Sequence, residues 1–508
     1  MFLARLLVLF SLVCISCAHS SFEQKQLKHA LNFATSNRLE LEILLQHYTY
    51  DSLKLEAAKF LIRNMPHCYS YQQGGEMDSV KRVRTYYSPF GQIDQTYARR
   101  WGHYTYRNLP KIYDAHIITA EYLIDNIDRA FDNWQKRPWN RSLSFEDFCE
   151  YLLPYRIGDE PLEEWRELYE KKYGYLLDSI YKGGDVVEAA NLVSRHLQEP
   201  VFIYCEDFEL PHIGPRYLFS HRYGSCVDAA DIVTYAFRAV GIPCMEDTDA
   251  RGGHVWNVVR DTTGRDVPIW YIASEAVRGS RDTGGYKRGK VYRPMYGFQE
   301  EKAAHLGDDW KSVPLLFYHP YMKDVSYAYY PDTLRILTGI PDGEVCYLAH
   351  FHEAHWWSCA CARSASGKME IPNLESELVY LPMKYTKSNY YPSDFPFWFA
   401  GGEINTFLPD WEKTVKVRLY RKYPVYGWLR SFMGHVVGGT FEGSMTKDFE
   451  DGKTLYEIAD TPVIARNRIF LNKSVKCRYI RYKADNDKCA ELAEMTFYAN
   501  GKAVSPIA

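Results

Sequence analysis

The chain has 508 residues, a formal net charge of −3 and a composition that is 46% hydrophobic and 25% charged. This is the composition of an ordinary globular protein, and the length suits about three domains. The near-neutral charge argues against nucleic acid as the main partner, because proteins that bind nucleic acid usually carry a basic excess.

The first 20 residues are typical of a signal peptide. Arg5 precedes an apolar stretch, Leu6 to Ile15, that is too short to span a bilayer as a mature helix. The sequence Cys14-Ile-Ser-Cys17 resembles a bacterial lipobox, which implies a lipid on Cys17 and a place at the outer membrane or cell surface. Cleavage after Ser20 instead would release a periplasmic or secreted protein.

Residues 21–195 are predicted to be mainly helical. Apolar residues recur at helical spacing in Leu53 to Ile62 and again in Ile117 to Phe131. Pro154 ends a further helical stretch and is followed by Arg156. Two interpretations of Arg156 stay open, one as a residue that shapes a substrate cleft and the other as a salt-bridged structural residue.

Residues 222–243 are predicted to form a loop, a helix and a sharp stop. Ser225 is a good N-cap, and Asp228 three residues later completes a capping box. Gly241 suits the position after the helix, and Pro243 prevents the helix from continuing. An apolar stripe at helical spacing is formed by Cys226, Ala230, Val233, Phe237 and Val240.

Cys226 therefore lies in the first turn of this helix, where the helix dipole favours a thiolate over a thiol. Asp228 opposes that effect, so a partner cation is required. Twenty-eight residues after Cys226, His254 opens a predicted strand. A histidine within hydrogen-bonding distance would form an ion pair with the thiolate.

Three motifs carry a resemblance to a known family: Gly224-Ser-Cys226, Phe237-Arg-Ala-Val-Gly-Ile-Pro243 and Gly253-His-Val-Trp-Asn257. Over about residues 196–300 they resemble the core of the transglutaminase-like superfamily. The resemblance implies a papain-like core in which Cys226 attacks an amide or acyl carbonyl. It also implies that His254 takes the thiol proton and later protonates the leaving amine, and that water or an amine releases the acyl-enzyme.

The family pattern has a third member, an aspartate on the strand after the histidine, which orients the imidazole. Here that strand should be Val267 to Ile272, which contains neither Asp nor Asn. Asp266 precedes this strand and Glu275 follows it. Asn257 lies an odd number of residues from His254 and should face the other side of the strand. The third member is therefore left unassigned.

Residues 301–430 change to short strand-like runs between turn residues, which predicts a β-sandwich. The runs are Lys323 to Tyr327, Glu344 to Ala349 and Leu378 to Pro382. His350, His352 and His355 are interpreted as solvated strand histidines rather than metal ligands. Glu353 would face the opposite side of the strand, and the spacing of known zinc motifs is missing.

Residues 431–508 have a different pattern. Cys477 to Tyr482 and Glu491 to Tyr498 resemble strands of discoidin or galactose-binding-like domains, although the segment is shorter than a full domain. The resemblance implies sugar binding by analogy of fold alone, and a structural cap is the alternative. Cys477 and Cys489 flank a predicted turn and could pair, but no disulfide is assigned.

The sequence thus predicts an α+β multidomain protein with a helical region, a transglutaminase-like core and C-terminal β-sandwich domains. Its predicted function is that of an exported cysteine enzyme that hydrolyses amide bonds of a peptide, protein or glycopeptide, with no cofactor, no metal and no nucleic acid. The alternative is a surface lipoprotein that keeps the fold without efficient chemistry and binds glycan or peptide. In either case Cys17, if modified, would attach the protein to a membrane.

Overall fold

The structure is a computed structural model. It describes residues 22–86, 100, 104–205, 210–250, 253–270, 272, 274–280, 287–299, 315–337, 339–352, 355–386, 389–416, 433–462, 467–471, 475–485, 492, 495–499 and 501–504. The segment with the lipobox and Cys17 lies outside these residues, as do Glu353 and Cys489. Among the described residues, no helix is long and apolar enough to cross a membrane.

Helices dominate the first half of the chain. The α-helices are α1 (22–33), α2 (Arg38–His47), α3 (Ser52–Asn64), α4 (Gly75–Val83), α5 (Ala120–Lys136), α6 (Phe145–Tyr151), α7 (Arg166–Tyr175), α8 (Val186–His196), α9 (Pro215–Ser220), α10 (Cys226–Ala239) and α11 (Leu315–Tyr318).

Strands dominate the second half. They are β1 (Tyr69–Tyr71), β2 (Lys111–Tyr113), β3 (Ile203–Tyr204), β4 (Tyr223–Gly224), β5 (Cys244–Asp249), β6 (Val255–Arg260), β7 (Asp266–Ile269), β8 (Val291–Pro294), β9 (Met322–Asp324), β10 (Leu334–Leu337), β11 (Val345–His352), β12 (His355–Arg363), β13 (Lys368–Ile371), β14 (Leu378–Thr386), β15 (Asn389–Pro392), β16 (Phe397–Ala400), β17 (Glu403–Thr406), β18 (Thr440–Ser444), β19 (Lys453–Glu457), β20 (Tyr479–Lys483), β21 (Phe497–Ala499) and β22 (Lys502–Val504).

The fold is a mixture of helix and sheet, as the sequence predicts at the level of class. The chain divides into two compact units, one of residues 1–351 and 356–407 and the other of residues 352–355 and 408–508. The finer assignment of named domains along the chain stays a prediction.

The predicted N-terminal helices form where their apolar stripes indicated. Asp51 caps α3 by accepting a hydrogen bond from the backbone of Lys54 at 3.1 Å, and Thr119 caps α5 through Tyr122 at 3.2 Å. Their apolar faces are buried together with residues of α1, α2 and α6 in one core.

The centre of the larger unit is a five-stranded antiparallel sheet in the order β7-β6-β5-β8-β9. Helix α10 packs against this sheet, and every residue from Asp228 to Ala239 is buried. A second core holds apolar residues of α10 together with residues of α7, α8, β6 and β7. A helix buried on all sides in this way fixes the position of its first residue, Cys226.

The C-terminal part of the larger unit contains a six-stranded sheet in the order β12-β11-β14-β16-β17, with β15 paired to β14. The runs predicted at Glu344 to Ala349 and Leu378 to Pro382 lie within β11 and β14. The predicted run Lys323 to Tyr327 does not belong to this sheet. Its first residues are part of β9, which pairs with β8 of the central sheet. Its last residues lie in a 3₁₀ turn, Ser326–Ala328.

The smaller unit contains a three-stranded sheet, β19-β18-β20, and the hairpin β21–β22. Strand β20 covers most of the predicted Cys477 to Tyr482 run. Its Arg481 contacts Glu442 of β18 at 2.7 Å, and the Tyr482 ring packs on Phe441 at 5.3 Å. The two residues project to opposite sides, as the strand alternation predicts.

Candidate functional site

Helix α10 begins at Cys226 and is defined at both ends by the signals that its sequence carries. Ser225 is the N-cap and forms a capping box with Asp228, whose carboxylate accepts the Ser225 backbone N–H at 2.7 Å. At the other end Gly241 has φ +81°, and the Ile242 N–H donates to Phe237 at 2.9 Å. This last bond is characteristic of a Schellman motif. Both predicted ends are confirmed.

Strand β6 lies along the Cys226 face of α10. The Asn257 side-chain amide donates to the Ala230 carbonyl at 3.0 Å and to the Thr234 hydroxyl at 2.9 Å. Cys226, Ala230 and Thr234 are spaced four residues apart, so they share one face of the helix. Cys226 therefore faces the sheet, one turn before the first of these contacts.

The helix and β6 run in the same direction. At the C-terminal end of α10, Arg238 donates to the Cys244 carbonyl at 3.1 Å, and Cys244 pairs with Val259 near the end of β6. The N-terminus of α10 consequently lies towards the beginning of β6. His254 immediately precedes that strand, about 10 Å of extended chain before Asn257. Cys226 and His254 thus lie at the same end of the helix–strand pair.

His254 is half-buried, and its ring stacks on Trp256, with 5.7 Å between ring centroids and 29° between the planes. Trp256 faces away from α10, towards Tyr151, Met245 and Val258. Asn257 occupies the opposite face, as the odd spacing from His254 predicts. By the same alternation the His254 ring lies on the Trp256 side of β6, at the N-terminal end of the strand, so a contact with Cys226 would have to form around that end.

A buried cation stands beside the first turn of α10. Arg84 lies 3.0 Å from Asp228, and about 5% or less of either side chain is exposed. Burial alone would lower the pKa of Arg84, but the Asp228 carboxylate raises it above the ordinary value, so Arg84 stays charged. The negative charge that opposes a thiolate at Cys226 is therefore balanced by a residue 144 positions away in sequence from Asp228.

The carboxylate nearest to His254 by strand register is Asp249. In β5, Asp247 pairs with Trp256 and Thr248 with Val255, so Asp249 is next in line opposite His254. The Asp249 backbone N–H donates to the His254 carbonyl at 3.3 Å, and its carboxylate accepts the Gly253 N–H at 2.9 Å. Asp249 is fully buried. It is a candidate for the missing third residue, on the strand before the histidine rather than the strand after it.

The two acids considered from sequence have other partners. The side chain of Asp266, at the start of β7, is buried 2.8 Å from Arg293 and 3.0 Å from the Tyr151 hydroxyl. Glu275 is exposed and lies 2.9 Å from Arg195. Both carboxylates therefore take part in structural ion pairs.

A second polar cluster is buried on and beside the next turns of α10. Asp231 accepts from His212 Nδ1 at 2.9 Å, and the Glu246 carboxylate accepts from Thr234 at 2.7 Å. Burial alone would lower the pKa of His212, but the Asp231 carboxylate raises it well above its ordinary value. Burial raises the pKa of Glu246. These groups give the helix a polar interior side that its apolar stripe does not reveal.

Cys226 is half-buried, unlike most of the described cysteines. Cys361 and Cys477 share this exposure, whereas the other described cysteines are buried thiols. Burial raises the pKa of Cys244, in the adjacent strand β5, to about 12. Cys244 is consequently an unreactive thiol at neutral pH, and Cys226 is the accessible sulfur on this helix.

The remaining candidates from the sequence have structural surroundings. Arg156 is buried in an ion pair with Asp114, where its Nε donates at 2.6 Å, so the salt-bridge interpretation of Arg156 is confirmed. His350 is fully buried, which corrects its interpretation as a solvated histidine, whereas His355 is exposed. Within the residues that the structure describes, no group of three or more His, Cys, Asp or Glu could hold a metal ion.

No protein-family model, curated protein or solved structure matches this chain. The resemblance to the transglutaminase-like superfamily therefore stays an interpretation of the three motifs.

Sequence reasoning missed Arg84, Asp249 and His212. The sequence around Arg84 does not indicate its role, because its partner Asp228 is 144 residues away. Asp249 could have been found by pairing Cys244 to Asp249 antiparallel with His254 to Val259. His212 could not have been assigned without knowing which loop lies over the second turn of α10.

Proposed function

We propose that this protein is a transglutaminase-like cysteine hydrolase of amide bonds, with Cys226 as nucleophile and His254 as its acid–base partner. The observation that carries the proposal is the position of the two residues at one end of α10 and β6. Cys226 is the accessible first residue of a buried, doubly capped helix, and His254 stands at the beginning of the strand that follows the Cys226 face.

The helix N-terminus contributes to the chemistry in two ways. The backbone N–H groups of its first turn, which point out of the helix, and the positive end of its dipole lower the energy of a thiolate in that turn. They also stabilise the negative charge that develops on a carbonyl oxygen attacked from that turn. Arg84 supports both effects, because it balances the carboxylate of Asp228.

In the proposed acylation, the Cys226 thiol transfers its proton to His254, and the sulfur attacks the amide carbonyl carbon. The resulting tetrahedral intermediate collapses as the C–N bond breaks, and His254 gives its proton to the leaving amine. The product is a thioester on Cys226 and a free amine.

In the proposed deacylation, His254 takes a proton from water, and the hydroxide formed attacks the thioester carbonyl. The C–S bond then breaks, the carboxylic acid leaves, and His254 returns its proton to the sulfur, which restores the Cys226 thiol and the neutral imidazole. Hydrolysis is favoured over transfer to an amine because Cys226 is only half-buried, so water has access to the acyl-enzyme.

The test is alkylation of the full-length protein by iodoacetamide over a range of pH, with the labelled peptides identified by mass spectrometry. An ion pair makes Cys226 react at about pH 6, well below the range of an ordinary thiol. His254→Ala should abolish this low-pH reactivity while leaving the protein folded. Cys361 and Cys477 are internal controls, because they are similarly exposed and should react only at higher pH.

If Cys226 reacts no faster than Cys361 and Cys477 at that pH, and His254→Ala changes nothing, the proposal is wrong. If low-pH reactivity is present, incubation with a library of peptide amides should show release of amine that is lost in Cys226→Ala.

A further inference from the structure

A cavity of about 420 Å³ opens in the larger unit at the contact of α1 with the end of α3. This volume lies within the range of small-molecule sites in proteins. Its lining consists of Lys25, Gln26, His29, Arg63, Pro66, His67, Phe298 and Tyr321. None of these residues belongs to α10, β5 or β6, which carry Cys226, His254 and Asp249.

One side of the cavity is aromatic. The His67 and Tyr321 rings are stacked with centroids 3.5 Å apart and 17° between their planes. Phe298 meets the Tyr321 ring edge-on at 5.8 Å. Such a surface binds the face or edge of a second ring-shaped group.

The other side is cationic. Lys25 and His29 are exposed and lie four residues apart in α1, so they share one face of that helix, and Arg63 is in the last turn of α3. The lining contains no Asp or Glu. Glu23, which is not part of the lining, lies 2.8 Å from Arg63 and occupies part of its guanidinium.

The aromatic side is fixed before any ligand arrives. The Phe298 backbone N–H donates to the buried Asn64 side chain at 3.0 Å, and the Tyr321 carbonyl accepts from Met295 at 2.7 Å. Burial lowers the pKa of His67 to about 3, so its ring is neutral under physiological conditions.

We propose that this cavity is a binding site for a small organic anion with an aromatic ring, whose ring packs against Phe298 and Tyr321 and whose anionic group is held by Lys25 and Arg63. The ring accounts for the aromatic side of the cavity, and the anionic group accounts for the cationic side. The site is independent of the chemistry proposed at Cys226.

The experiment measures binding of benzoate to the full-length protein by ligand-observed NMR, with benzamide as the neutral analogue of the same shape. Benzoate should bind saturably. Benzamide should bind about tenfold more weakly, because it has no negative charge and loses one charge-assisted contact with the cationic side. Lys25→Met and Arg63→Met should each weaken benzoate binding by a similar factor. Lys28→Met is the matched control, because Lys28 is an exposed lysine of the same helix outside the lining, and it should change nothing.

Tyr321→Leu should weaken benzoate but should affect acetate, which has no ring, far less. Glu23→Gln removes the competing carboxylate beside Arg63 and should tighten benzoate binding. Phenyl phosphate distinguishes the two sources of the anionic group. Tighter binding of phenyl phosphate than of benzoate supports the site with a phosphate as its natural anion.

Absence of saturable binding for both benzoate and phenyl phosphate at millimolar concentration overturns the proposal. So does benzoate binding that Lys25→Met and Arg63→Met leave unchanged. Circular dichroism of each variant shows whether it is folded, and the retained low-pH alkylation of Cys226 would separate a failure here from a failure of the proposed function.

Discussion

Arg84 and Asp228 form a buried ion pair, 3.0 Å apart, beside the first turn of the helix that begins at Cys226. The same Asp228 carboxylate accepts the Ser225 N–H that starts the helix. The Asp228 carboxylate thus caps the helix N-terminus and also holds the Arg84 cation beside the first turn.

Arg84→Met should destabilise the protein by about 3–5 kcal/mol, because it leaves the Asp228 carboxylate buried without its cation. It should also slow alkylation of Cys226 at neutral pH, since an uncompensated carboxylate near the sulfur opposes the thiolate. Urea denaturation measures the first effect and iodoacetamide the second. The double variant Arg84→Met with Asp228→Asn should recover much of the lost stability. No recovery would mean that packing around Arg84, rather than charge, dominates.

Asp249 is expected to act as a positioning residue for His254. Asp249→Asn removes the negative charge next in register to the histidine while keeping its size, and should reduce Cys226-dependent amide hydrolysis by about 10²–10⁴-fold. The pH profile of Cys226 alkylation should also shift, because a purely structural role would leave that profile unchanged. Glu275→Gln is the control, since Glu275 is exposed and paired with Arg195. Equal profiles for wild type and Asp249→Asn would exclude the positioning role.

Gly241 is required at the end of α10 because of its positive φ and because a β-carbon there would overlap a neighbour. Two glycine-to-alanine variants separate these effects. The φ of Gly241 is +81°, and a β-carbon there would lie 2.8 Å from the Asn133 carbonyl oxygen. Gly264 has a similar φ of +76° with nothing within 4 Å of such a carbon. Gly264→Ala should therefore cost about 1 kcal/mol from backbone strain. Gly241→Ala should cost about 2–4 kcal/mol from strain and overlap. Urea denaturation measures both, and equal costs would show that Asn133 moves away easily.

The local architecture of the site was predictable because its signals are local. The capping box at Ser225 and Asp228 and the stop at Gly241 are set by residues within one or two turns, and the structure reproduces them. The strand that starts after His254 was predictable from its apolar pattern. The odd spacing of Asn257 gave its orientation as well.

What surrounds the site was not predictable, because it is contributed from far away in the sequence. Arg84 reaches Asp228 across 144 residues, and Arg156 contacts Asp114 across 42 residues. The short strand Met322–Asp324 belongs to the central sheet because it pairs with β8. Its composition alone does not distinguish that sheet from the one that follows in sequence. Such pairings depend on the folded topology, which a single sequence does not specify.

The partly buried carboxyl group of Glu150 should make the stability of the protein depend on pH. Burial raises the pKa of Glu150 from its ordinary value of 4.5 to about 7, although hydrogen bonds from the Tyr296 and Gly297 backbone N–H groups, at 2.9 and 3.1 Å, oppose that rise. The folded state therefore holds this proton more tightly than the unfolded state. Ionising Glu150 between about pH 4.5 and 7 weakens folding, so its contribution to stability falls as pH rises through that window.

Glu150→Gln keeps an oxygen for one backbone N–H and has no proton to lose in this range. The free energy of unfolding of the wild type should fall relative to that of Glu150→Gln by about 1–3 kcal/mol between pH 5 and pH 8. Urea denaturation of both proteins at the two pH values measures this difference. Because the wild type and the variant share every other titratable group, the contributions of those groups cancel. Glu146→Gln, at an exposed position of the same helix, should track the wild type. If the free energy of unfolding of the wild type stays constant or rises relative to that of Glu150→Gln as pH rises, Glu150 is ionised in the folded protein throughout this range.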